Sequence, residues 1–185
     1  MIAHEFILRC GLRPHHTRSV RVDRAIEIAR RVGIKLKIAA KIDKVDMEYY
    51  ETTIKPLLNG NDVEFIGEIC EAEKDEFLGN AYALLFPIDW PEPFGLVMIE
   101  SMACGTPVIA YRNGSVPEVM QDGVTGFIVN NQDEAVAAVN KLDQIDRAQC
   151  RRVFEQSFSS ARMARDYTTV YKQLIYKYHR PRLVG

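Results

Sequence analysis

The chain has 185 residues, 47% hydrophobic and 26% charged, with a formal net charge of -1. That length suits one ordinary domain and that balance suits a globular protein. It excludes a basic excess of the kind that seeks nucleic acid or an anionic membrane, and no apolar run approaches the ~20 residues of a membrane span.

Short apolar runs alternate with helical patterns along the chain. EFIL, around Phe6 to Leu8, is a weak first strand. VDRAIEIARRVG places Ala25, Ile28, Ala29 and Val32 at helical spacing, and Gly33 ends the helix. KLKIAA is a strand. DMEYYETTIKPLL is helical until Pro56 disturbs it. VEFIG, Val63 to Gly67, is a strand with a glycine turn, and EAEKDEFLGNA is a charged helix. YALLFP is continuously apolar, as in a parallel strand covered on both faces. Phe94 to Gly105 reads as an apolar helix, and PVIAY as the next strand. In SVPEVMQDG, Ser115 suits an N-cap, Pro117 the first turn, and Glu118 completes a capping box. GFIV is a short strand. DEAVAAVNKL and DRAQCRRVFEQ are amphipathic helices, and residues 159–178 form one long C-terminal helix.

There is no repeat, low-complexity tract or linker, so residues 1–185 read as a single domain. Alternating strands and helices imply an α/β fold, a Rossmann-like three-layer domain with a parallel sheet between helices. Ligands in such folds sit at the carboxyl ends of the strands. The loops at 9–21, 40–45, 67–72, 87–95 and 111–117 therefore share one rim. The opening MIAHEFILRCGLRPHH lacks the parts of a signal peptide, and a cytoplasmic protein is expected. Cys10, Cys70, Cys104 and Cys150 form no CxxC pair and read as reduced thiols. No acid cluster suggests a metal, so none is expected.

The stretch DWPEPFGLVMIESMA raises a question of charge. Glu100 sits inside the apolar helix, and Glu92 stands before it between Pro91 and Pro93. The backbone amides near Phe94, Gly95 and Leu96 are expected to be unpaired at the first turn and to attract phosphate or polar oxygens. Glu100 lies on the order of 7–8 Å further along the axis, which puts the acids roughly 10 Å apart. A nucleoside diphosphate sugar has hydroxyls at both ends of its diphosphate, and carboxylates accept hydrogen bonds from such hydroxyls. An acid among Val97, Met98, Ile99 and Met102 is costly to bury alone, so a hydroxyl-bearing partner is expected. The other reading is that Glu100 pairs with a local protein donor and Glu92 is an ordinary loop acid.

The ordered run EPFGLVMIESMACGTPVIAYRNGSVPEVMQDGVTGFIV closely resembles the nucleotide-sugar-binding half of family 4, retaining, two-domain (GT-B) glycosyltransferases, the glycosyl transferase group 1 type. The likeness extends over residues 60–178. It implies half of a GT-B fold, with a C-terminal helix that crosses to the other half. It implies a nucleoside diphosphate sugar as donor substrate, with no separate cofactor, and sugar transfer to an acceptor hydroxyl with retention. By position, Glu92, the candidate catalytic residue, touches the donor sugar hydroxyls, and Glu100 holds the ribose. The backbone at Phe94, Gly95 and Leu96 meets sugar and diphosphate, while Gly67, Glu68 and Ile69 border the base.

Two departures qualify the likeness. Ser115 replaces the second glycine of a Gly-Gly pair, which its capping role explains. The family also opens this domain with Gly-Arg and a nearby Lys that grip the diphosphate. Here Gly11 is followed by Leu12, and no lysine precedes the helix. Arg13 and Arg18, with Arg21 nearby, are the candidate replacements; otherwise the grip is absent. His15 and His16 on the same loop read as solvated histidines, and Trp90 either lines the sugar site or packs on its loop. The partners implied are the donor, an N-terminal acceptor-binding domain and, failing that, a homodimer contact through the last helix. A non-catalytic nucleotide-sugar module, or a domain inactive without that half, is the alternative function. A dinucleotide oxidoreductase would need G-x-G-x-x-G after the first strand, and CGLRPHHTR lacks it.

Overall fold

The computed structural model describes residues 5–11 and 20–178. Six parallel strands form one sheet: β1 (Glu5–Gly11), β2 (Lys35–Lys41), β3 (Val63–Gly67), β4 (Ala83–Phe86), β5 (Val108–Tyr111) and β6 (Gly126–Val129). Their order is β3-β2-β1-β4-β5-β6, so the direction of winding reverses between β1 and β4. The helices are α1 (Val22–Val32), α2 (Met47–Tyr49), α3 (Lys74–Gly79), α4 (Leu96–Ala103), α5 (Val116–Val119), α6 (Gln132–Val139), α7 (Arg147–Ser157) and α8 (Ser160–Tyr178).

The sheet is the middle of three layers, as expected of a Rossmann-like α/β domain. All four residues of β4 are buried. Because side chains alternate along a strand, Ala83 and Leu85 face one core and Leu84 and Phe86 the other. The first core contains Ala25, Ile28 and Ala29 of α1 and Ala135 of α6. The second contains Leu78 of α3 and Met98 and Met102 of α4. Gly33 closes α1 in the left-handed region, at φ 68°.

Three elements differ from expectation. Residues 44–58 form one helical run of changing pitch: 3-10 at Lys44–Asp46, α2, a π turn at Tyr50–Ile54, then 3-10 at Lys55–Leu58. Pro56 has no N–H and its ring opposes the Thr52 carbonyl, so the backbone widens before it. The helix carrying Glu100 starts at Leu96 rather than Phe94. Ser115 makes no side-chain cap: its backbone is helical (φ -74°, ψ -9°), and its hydroxyl is buried without a hydrogen-bond partner. The Glu118 N–H bonds the Ser115 carbonyl instead (2.9 Å), so the expected capping box is absent. Among the described residues, no helix is long and apolar enough to cross a membrane.

Candidate functional site

The loop from β4 to α4 leaves the sheet at the point where winding reverses, the place where open α/β sheets form a crevice. Glu92 is half-buried there, and its Oε1 accepts the Gly95 N–H at 3.2 Å. That amide is therefore paired, contrary to expectation; the carboxylate of the loop supplies its acceptor. Leu96 and Val97, the first two residues of α4, have no intrahelical acceptor for their N–H groups. Gly95 takes a left-handed conformation at φ 74°, and a Cβ on it would lie 2.6 Å from Met98 Cε. Phe94 packs edge-on against Phe158, with centroids 6.2 Å apart, and Leu96 is exposed.

Two neighbouring loops hold this one in place. The Ser115 N–H donates to the Glu92 carbonyl at 2.8 Å, and Asn113 Nδ2 donates to the Ile88 carbonyl at 2.7 Å. Gly114 (φ 54°) lies so close that a Cβ would sit 2.3 Å from Glu92 N. On the other side, Val20 bridges Ile88, and the Arg21 N–H donates to the Pro87 carbonyl at 3.1 Å. Arg21 Nη1 donates to Asp89 Oδ2 (3.1 Å), while Nε and Nη2 grip Asp23 at 2.9 and 2.6 Å. The hydrogen bond to Asp23 leads in pushing the Arg21 pKa up. Of the three nearby cations, Arg21 is thus committed to protein carboxylates. Arg13 and Arg18, with His15 and His16, lie outside the described residues.

Glu100 occupies a different face of α4 from the one that meets the sheet. Met98, Ser101 and Met102 are buried, whereas Val97, Ile99 and Glu100 are partly exposed. Its side chain keeps 27% of its accessible surface, so it is less buried than the apolar sequence around it implies. Glu100 Oε1 accepts from Lys74 Nζ at 2.9 Å. Lys74, the first residue of α3, has a side chain only 12% exposed and also pairs with Glu71. Among protein groups, a lysine cation 26 residues away in sequence meets Glu100.

The same lysine joins Glu100 to the loop after β3. Gly67 turns that loop at φ 79°, Glu68 is exposed and Ile69 is half-buried. The Cys70 N–H donates to Glu73 Oε2 at 2.7 Å, closing a capping box, and this bond holds the Glu73 pKa below the usual carboxylate range. Ile69 lines a cavity of about 300 Å³ together with Ile66, Phe77, Lys37 and Glu5. Trp90 is half-buried against the second core. Glu92, Gly95, Gly114 and Ser115 are thus brought together at one end of α4, and Glu100 is joined to the β3–α3 loop. Lys74 and Asn113 went unremarked in the sequence, and Gly114 entered only as the first glycine of the Gly-Gly pair. Gly114 had a visible signal in Asn-Gly-Ser, but Lys74 looked like any charge on a polar helix.

A family profile described as "Glycosyl transferases group 1" matches residues 16–156. The chain is 33% identical over 101 residues to N-acetyl-alpha-D-glucosaminyl L-malate synthase of Bacillus anthracis, an alignment covering 50% of this chain and 26% of that relative. The crystal structure of AviGT4, a glycosyltransferase involved in avilamycin A biosynthesis, matches with a TM-score of 0.77 at 25% identity, over 95% of this chain and 53% of that one. HepE of Anabaena, crystallised with UDP and glucose, has the same fold, with a TM-score of 0.77 at 18% identity, over 93% of this chain and 49% of that one. The chain therefore spans about half the length of these solved proteins and less of the curated relative. It belongs to the glycosyl transferases group 1 family, with the Rossmann-like α/β domain of GT-B glycosyltransferases.

Proposed function

We propose that this chain is the donor-binding half of a glycosyltransferase that moves a sugar from a nucleoside diphosphate sugar to an acceptor hydroxyl with retention. The observation that carries the reading is the setting of α4, which follows the strand where the winding reverses: first-turn amides without intrahelical acceptors, Glu92 beside them, and Glu100 one turn further along. The ligands of the Anabaena neighbour, UDP and glucose, support this class of donor.

In this reading Glu92 contacts the donor sugar hydroxyls and Glu100 the ribose hydroxyls. The backbone at Phe94 to Leu96 faces the sugar and diphosphate. Gly67, Glu68 and Ile69 border the base, and Arg13 and Arg18 supply positive charge to the phosphates. During transfer the bond between the anomeric carbon and the β-phosphate oxygen breaks, the acceptor oxygen takes its place, and the acceptor's proton passes to the departing diphosphate. Amides fixed at a helix end favour the departing diphosphate because they need no reorientation as its charge develops.

Calorimetric titration with UDP-, GDP- and ADP-sugars tests the reading. Glu100→Ala is expected to weaken nucleoside diphosphate binding by about 1–3 kcal/mol, the scale of a lost charged hydrogen-bond set. Glu92→Ala is expected to reduce the extra affinity contributed by the sugar and to leave the free diphosphate largely unaffected. Both variants binding donor like the parent would show these assignments to be wrong. A second reading, a nucleotide-sugar module without turnover, is favoured by Arg21, whose guanidinium is taken by Asp23 and Asp89 rather than left for a phosphate. Transfer assays with and without an added N-terminal half separate the two.

A further inference from the structure

The geometry points to Lys74 as a positioning residue for nucleotide binding: it acts through Glu100 to set the site's preference for an intact ribose. This inference rests on the ribose role given to Glu100 above.

Lys74 stands where local rules disfavour it. It follows the capped 3-10 turn Glu71–Glu73 into α3, close to the start of the helical run, where a cation opposes the macrodipole. Its side chain is nearly buried, at 12% exposure, although lysine is among the residues least often buried. The pair with Glu71 does not account for this, because Glu71 is 84% exposed and such surface pairs contribute little. A contact that reaches across the fold runs to Glu100 Oε1 at 2.9 Å. A residue placed against local preference is expected at functional sites.

The consequence for Glu100 is orientation. A glutamate on a helix surface has several rotamers, and ordering it on ligand binding costs conformational entropy. The ion pair to Lys74 selects one arrangement before the ligand arrives, and it offsets the negative charge of a carboxylate that must lie near a diphosphate. A carboxylate has about four lone-pair sites, so a hydrogen bond from Lys74 to one oxygen does not preclude hydroxyl donors. Lys74 also follows the loop that carries Gly67, Glu68 and Ile69 after a single 3-10 turn, Glu71–Glu73, so the same residue ties Glu100 to the element next to the proposed base site.

The test uses the 185-residue chain and compares UDP with 2′,3′-dideoxyuridine 5′-diphosphate by calorimetry, or the guanosine or adenosine pair if that base binds better. Glu100→Gln is expected to remove the preference for the ribonucleotide. Lys74→Met is expected to reduce that preference by about tenfold, chiefly through weaker UDP binding. Lys74→Arg is expected to retain most of it, and Lys74→Met/Glu100→Gln to be no worse than Glu100→Gln alone. Thermal unfolding checks that each variant folds, and Lys74→Gln replaces Lys74→Met if the latter does not. A Lys74→Met protein that weakens both ligands equally, or keeps the parental preference, overturns the inference while leaving Glu100 on the ribose. If Glu100→Gln keeps the preference, or the parent binds none of UDP, GDP and ADP, the ribose assignment falls and this inference falls with it.

Discussion

Gly114 and Gly123 both adopt positive φ, at 54° and 74°, yet only Gly114 has neighbours where a Cβ would go. Gly123 has nothing within 4 Å, so Gly123→Ala carries backbone strain alone, about 1 kcal/mol. Gly114→Ala adds a collision with the Glu92 backbone, which cannot swing aside as a side-chain tip can. A loss of about 3 kcal/mol is expected, with weaker donor binding as the loop moves. Denaturant midpoints and calorimetry on the two variants make the comparison; equal behaviour would mean that the Glu92 loop does not depend on Gly114. Cys150 gives a residue-level prediction of another kind. Its thiol is fully buried, with Sγ 3.6 Å from the Val124 carbonyl, and burial pushes its pKa from 9.0 up to about 11. The folded state therefore holds this proton more tightly than the unfolded chain does. Its contribution is complete below pH 9.0 and is lost as pH rises toward about 11. Chemical denaturation across that window is expected to show a stability loss smaller in Cys150→Ala than in the parent, by on the order of 2 kcal/mol.

At the scale of elements, α8 stands apart from every other long helix. None of its residues is buried, and Met163, Tyr167, Val170, Tyr171, Leu174 and Ile175 are all exposed. Its ties to the rest of the chain include the Arg162 guanidinium on the Gln156 and Ser157 carbonyls, at 3.2 and 3.3 Å. A chain ending at Ser159 is therefore expected to unfold cooperatively with stability within about 1 kcal/mol of the parent. Loss of cooperative unfolding in that variant would show that α8 supports the core. Element types were largely legible, because YALLFP and VDRAIEIARRVG announce a buried strand and an amphipathic helix by composition and period. Their ends were less so. Gly95 allowed the β4–α4 loop to run on to Leu96, and the Ser115 hydroxyl turned inward instead of capping. The Ser115 outcome depends on a neighbour from another loop, the Glu92 carbonyl that accepts the Ser115 N–H, and no local pattern carries that.

For the molecule as a whole, alternation of strands and helices was enough to anticipate a parallel sheet with ligand-facing loops on one edge. The strand order itself came from the structure, since alternation does not say which strands are neighbours. The motif run from Glu92 to Val129 identified the family, whereas the contacts that hold the site together lie far apart in sequence. Lys74 meets Glu100 across 26 positions, and Arg21 meets Asp89 across 68. Charge counts cannot reveal such pairs, because an arginine bound to two aspartates and one waiting for a phosphate look alike in a string of letters.

The link between Arg21 and the 87–89 segment has a mechanical meaning. Backbone and side-chain bonds stitch the start of α1 to the exit of β4, the two chain segments that bracket the crevice. Neither segment can open alone without breaking the stitch, so the mouth of the cleft behaves as one jaw: whatever tightens the Glu92 side also tightens the approach to α1.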